Sequence, residues 1–67
     1  MQYSPGDLVE VTKERSEKYT GIILSGTPTS LYVEARPYKI IDEVVYKIIS
    51  GGKDMFAYGY QIRKLND

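Results

Sequence analysis

Chemistry at neutral pH usually needs a nucleophile beside a base, a tuned pair of carboxylates, or a bound metal or phosphate. The chain has no histidine and no cysteine. This removes the side chain best suited to proton transfer near pH 7 and the thiolate as nucleophile or metal ligand. Ser16, Ser25, Ser30 and Ser50 have no evident base in their neighbourhood. Asp42 and Glu43 are the most suggestive carboxylates, but adjacent residues of a strand point to opposite faces, so they do not form an acid–base pair. Gly51-Gly52-Lys53 has a fragment of a phosphate loop. The full pattern needs a glycine where Lys47 stands and a Ser or Thr where Asp54 stands. A hairpin turn accounts for it. The oxygen ligands show no calcium-loop spacing. The expectation is a non-enzymatic chain with no catalytic residues, no metal and no cofactor.

Binding is left. Tyrosine rings stack on bases and basic side chains meet phosphates, which makes Arg15, Lys18, Tyr19, Arg36, Tyr38 and Lys39 the candidate nucleic-acid set. Against it, nine basic and nine acidic residues balance to zero, whereas phosphate contact usually demands a basic excess. Glu14, Glu17, Glu34 and Asp54 are interleaved with the cations. The apolar residues are more informative. Ile22-Ile23-Leu24, Val44-Val45 and Ile48-Ile49 have no polar break. If Ile23, Val44, Tyr46 and Ile48 face a core, then Ile22, Leu24, Val45 and Ile49 face outward, with Lys47 among them. A small domain has only one interior. Either neighbouring Tyr and Lys stems cover this second set, or it forms a contact surface for another protein or a second copy of the chain.

The elements that position these residues are read as strands. Seven Tyr, many Val and Ile, and six dispersed Gly favour them. Ser4-Pro5-Gly6-Asp7 is a turn. Leu8 to Thr12 alternates, with Val9 and Val11 on one face. The charged stretch from Lys13 to Lys18 is too short for a stable helix and reads as a loop. Tyr19 to Ser25 forms a second strand, in which Gly21 marks a bulge or bend. Gly26 to Ser30 reads as a polar turn and Leu31 to Arg36 as a third strand, ended by Pro37. Tyr38 to Asp42 is open between strand and bend. Glu43 to Ile49 is a strand, Ser50 to Asp54 a tight hairpin turn, and Met55 to Ala57 a further short strand. Tyr58-Gly59-Tyr60 is a turn before a closing strand from Gln61 to Leu65. Short strands without crossover helices imply an antiparallel meander, and closure into a barrel would remove its edges.

Three places in this layout resemble the small SH3-like barrels, in their KOW-like and Tudor-like branches. Pro5-Gly6-Asp7-Leu8-Val9-Glu10-Val11 is similar to their entry strand, Tyr19-Thr20-Gly21-Ile22-Ile23 to their second strand, and Tyr58 to Leu65 to their closing turn and strand. The resemblance implies an all-β fold, a small SH3-like barrel of about five antiparallel strands. One domain spanning residues 1–67 suits a chain of 67 residues. The resemblance also reaches adaptor subunits of larger assemblies and small bacteriophage proteins. Taken with the outward apolar set, the expected function is a protein–protein interaction module acting through Ile22, Leu24, Val45 and Ile49, as a homo-oligomer or with another protein. The alternative is a KOW-like nucleic-acid-binding module. Peptide-binding SH3 domains use a Trp that this chain lacks. No apolar run reaches the roughly 18 residues of a membrane span, and Met1 to Pro5 has no signal-peptide character. The absence of cysteine suits a reducing compartment. Cytoplasm, or host cytoplasm for a viral protein, is the expected location.

Overall fold

The computed structural model describes residues 2–34 and 36–65. It is all-β: five antiparallel strands form one sheet in the order β4-β3-β2-β1-β5. The strands are β1 (Leu8–Thr12), β2 (Lys18–Val33), β3 (Lys39–Ser50), β4 (Lys53–Tyr58) and β5 (Ile62–Lys64). β5 returns across the molecule to pair with β1, Val11 opposite Ile62 and Val9 opposite Lys64. The sheet is barrel-like but open, because no ladder joins β4 to β5 among the described residues. The expected full closure is corrected on this point. A single 3-10 turn, Gly59–Gln61, bridges the gap. It is held by the Gln61 Oε1, which accepts from the Tyr58 N–H at 2.9 Å.

Local sequence explains most of the turns. The Ser4 C=O accepts from the Asp7 N–H at 3.0 Å, and the Asp7 carboxylate accepts from the Ser4 N–H at 2.9 Å. That double link starts β1. Gly51 and Gly52 both have positive φ, 58° and 79°, the combination that matches a two-residue hairpin to the twist of its strands. The charged stretch after β1 is a loop containing a short 3-10 turn, Glu14–Ser16. Arg15 and Ser16 sit there at φ 59° and 64°, a left-handed conformation that costs side-chain-bearing residues about 1–2 kcal/mol each.

The core lies under the alternating faces. Val9, Val11, Ile23, Tyr46 and Ile48 are fully buried, joined by Tyr3, Ala57 and Ile62. Val44 and Tyr19 pack against them. Each large apolar side chain buried here contributes about 1.5–3 kcal/mol relative to exposure. Gly21 lies within this layer, but it is a close-approach position and not the bulge. A Cβ there would stand 2.5 Å from Ile48 Cγ2 and 2.6 Å from the Ile49 carbonyl oxygen. The β2 bulge falls three residues later, where Leu24 is the extra residue between Ile23↔Ile48 and Ser25↔Lys47.

The largest departure from the sequence reading follows that bulge. Gly26 to Ser30 is strand and not turn. β2 runs unbroken to Val33, with Gly26↔Tyr46, Pro28↔Val44, Ser30↔Asp42 and Tyr32↔Ile40 as partners. The segment read as strand to Arg36 ends at Val33, and the ambiguous Tyr38 to Asp42 stretch is strand from Lys39. β1 has already ended at Leu8↔Ile22, and β4 reaches only to Val45↔Tyr58. The distal parts of β2 and β3 therefore leave the sheet as a two-stranded arm, and the molecule is elongated, 40 × 26 × 23 Å. Proline is tolerated in β2 because that part of the strand is an edge.

Candidate partner-binding surface

The outer face of the sheet follows from register. Leu8 is opposite Ile22, and Ile22 is opposite Ile49, so these three side chains form one row across β1, β2 and β3. Each is 37% exposed. In the adjacent row Ser25, Lys47 and Phe56 are neighbours, and in the next Thr27, Val45 and Tyr58. Of the four residues assigned to an outward surface, Ile22 and Ile49 are thus in direct cross-strand contact. Leu24 is exposed at the bulge. Val45 is on the same face but two rows away, half-buried beside Phe56, Ala57, Tyr58 and Gln61. Lys47 separates it from Ile49 and is drawn toward Asp54, Nζ to Oδ2 3.4 Å.

Two hydrophobic members of this face, Leu8 and Phe56, were not singled out from sequence. Leu8 reads as the polar-phase position of an alternating strand. Phe56 is most of the way exposed, and only the β3–β4 register places it in the row beside Ile49. Tyr60 is exposed too, stacked on Tyr58 with ring centroids 5.7 Å apart and 9° between planes.

The candidate nucleic-acid residues do not form one site. Arg15, Lys18 and Tyr19 lie at the start of β2, while Arg36, Tyr38 and Lys39 lie beyond its far end, 16 strand residues away. In the first group Tyr19 is half-buried against the core, and burial raises its hydroxyl pKa. Lys13 Nζ covers its ring at 5.4 Å from the centroid, so the ring is not a free stacking platform. Lys18 approaches Glu10 at 4.0 Å, a carboxylate that Arg63 also reaches at 3.2 Å. In the second group Tyr38 stacks on Tyr32, centroids 5.3 Å apart and planes at 26°. Both rings are 64% exposed, and Ile40, opposite Tyr32, is 71% exposed.

Among the described residues no group of three or more acidic, His or Cys side chains could hold a metal ion. No helix among them is long and apolar enough to cross a membrane. Comparison with protein-family models, curated proteins and solved structures gives no match for this chain.

Proposed function

We propose that this protein is a non-enzymatic protein–protein interaction module, an accessory or adaptor subunit or a small viral protein, that docks through the outer face of its sheet. The observation that carries this reading is the three-strand row Leu8–Ile22–Ile49, with Phe56 exposed on the same face in the adjacent row. A contiguous apolar patch at the centre of a rigid sheet is the usual form of a contact surface, with the aromatic ring as anchor. The rim is polar: Thr20 and Lys47 flank the row, and Asp54 ends it across from Ile49.

The test compares the wild-type chain with the double variant Ile22→Lys/Ile49→Lys in retention of a specific protein from the source lysate, identified by mass spectrometry. Retention by the wild type at stoichiometric level, lost in the variant with its melting temperature kept within a few degrees, is the expected result. Equal retention by both would remove the outer face from the interface.

A second reading, nucleic-acid binding, has one specific observation in its favour: the exposed Tyr32–Tyr38 stack with Arg36 and Lys39 beside it in sequence. Single-strand binding of this kind loses affinity steeply with added salt. A fluorescence titration with a short single-stranded RNA, repeated with Tyr38→Ala, decides between the readings. Salt-dependent binding that the variant weakens would favour nucleic acid.

A further inference from the structure

The arm offers a second surface, independent of the outer face: the free edge of β2. Its backbone phase can be read from Pro28 and Val44. Pro28 has no N–H to give to β3, and the Val44 N–H opposite it donates to the Glu43 carboxylate at 2.9 Å instead of to β2. Pro28↔Val44 is therefore a non-hydrogen-bonded pair. By the alternation of antiparallel ladders, Gly26, Pro28, Ser30 and Tyr32 direct their main-chain groups away from β3. No strand pairs with that side among the described residues.

Edges of this kind are normally protected by charge or by proline. From Ser25 to Val33 there is no charged residue, and Pro28 is the one protecting feature. The whole chain is also neutral, with nine basic and nine acidic residues, so copies do not repel one another. We propose that the occupant of this edge is a second copy of the same chain, its Gly26–Tyr32 segment antiparallel to the first about a two-fold axis at Thr29. Two-fold pairing is self-complementary and closes at a dimer.

Pro28 selects the register. With the axis at Thr29, Pro28 faces Ser30 of the second copy and Gly26 faces its Tyr32. About six main-chain hydrogen bonds form, because only the two prolines fail to donate. Moving the axis to Pro28 sets proline against proline, with no bond between them. The side chains agree with the Thr29 register. The space left by Gly26, across from Tyr46, receives the large Tyr32 ring of the second copy, the aromatic cover that a glycine in a strand favours. Pro28 meets the small Ser30. The contact is smaller than a standard interface of about 800 Å² per partner, so the dimer is of the weak, reversible class.

The chain has no cysteine, so single cysteines report the register cleanly. In the proposed dimer the two Thr29 residues form a non-hydrogen-bonded pair with Cα atoms about 4.5 Å apart, within disulfide range. The two Thr27 residues lie about 13 Å apart, four residues out of register. Under mild oxidation Thr29→Cys is expected to cross-link at least about tenfold faster than Thr27→Cys, although Thr27 is the more exposed position. Sedimentation equilibrium up to about 1 mM should show a monomer–dimer equilibrium. Ser30→Pro, which removes an outward donor from each copy, should weaken it at least about tenfold, at roughly 1 kcal/mol per bond. Equal or faster cross-linking of Thr27→Cys, a monomer throughout the range, or association beyond a dimer would each overturn the proposal. None of these outcomes depends on Ile22 or Ile49, so failure here is distinguishable from failure of the outer-face reading.

Discussion

Tyr3 and Tyr46 close the bottom of the core on each other. Their rings meet edge to face, 5.3 Å between centroids and 77° between planes. The Tyr3 N–H donates to the Tyr46 hydroxyl at 3.2 Å, and the Tyr3 hydroxyl donates to the Ile62 carbonyl at 2.7 Å. One tyrosine pair thus joins the N-terminal segment, β3 and the short closing strand β5. This closure matters because β5 has only three residues and one neighbouring strand.

Hydroxyl removal should therefore separate two tyrosines that look alike in sequence. Tyr3→Phe deletes a buried, paired hydroxyl and leaves the Ile62 carbonyl unsatisfied, a loss of about 1–2 kcal/mol. Tyr19 has a buried hydroxyl with no partner among the described residues. Tyr19→Phe is expected to be neutral or to stabilise by up to about 1 kcal/mol. Urea denaturation of both variants checks the pair, and a loss at Tyr19 equal to that at Tyr3 would contradict it.

Gly21→Ala is expected to be the most damaging single-methyl change in the chain. The added Cβ meets the Ile49 main chain, which cannot swing aside as a flexible side chain can. Overpacking of this kind costs about 1–3 kcal/mol or more. Thermal melting of Gly21→Ala against the wild-type chain would show the loss.

The loop after β1 should be improvable. Ser16 holds φ 64° with a side chain, exposed and at no strand position. Ser16→Gly relieves the left-handed penalty and is expected to stabilise by about 0.5–1 kcal/mol, net of the extra freedom glycine brings to the unfolded chain. An unchanged or lowered denaturation midpoint would show that the loop is not strained there.

Stability should fall at alkaline pH. Burial, with the neighbouring Tyr46 as a smaller cause, raises the Tyr3 pKa, and burial raises that of Tyr19. In the unfolded chain a tyrosine ionises near 10. Above that pH the unfolded state gives up protons that the folded state keeps, so stability declines as pH rises from about 10 through the raised folded values. Below pH 10 the contribution is fully present. Denaturation midpoints at pH 9 and pH 11 should differ in that direction, and the difference should shrink in Tyr3→Phe and Tyr19→Phe.

The strand core was legible because its signal is local. Val9 and Val11, or Tyr46 and Ile48, alternate with polar or outer residues, and a period of two reports a face wherever the strand lies. The hairpin at Gly51-Gly52 was legible for the same reason, as turn geometry is a property of a few adjacent residues. The arm was not. Gly26-Thr27-Pro28-Thr29-Ser30 carries the composition of a turn, and nothing within it says that its neighbour on one side is absent. The candidate surface was half legible. Ile22 and Ile49 could be placed outward, but the row they form with Leu8, and Phe56 in the row beside it, depend on register across four strands.

The chain by itself determined that there is no His or Cys to do chemistry, that the fold is all-β, and which residues face the core. Those are consequences of residue type and short-range period. Tertiary pairing decided the rest. The β1–β2 ladder reaches only to Leu8↔Ile22, β2 continues past it, and that mismatch in strand length turns Gly26–Val33 into an edge where proline is tolerated and main-chain groups face solvent. The same pairing gathers separate apolar residues into one row. Strand length and register are set by contacts between segments distant in sequence, and it is these contacts that made the two candidate interfaces.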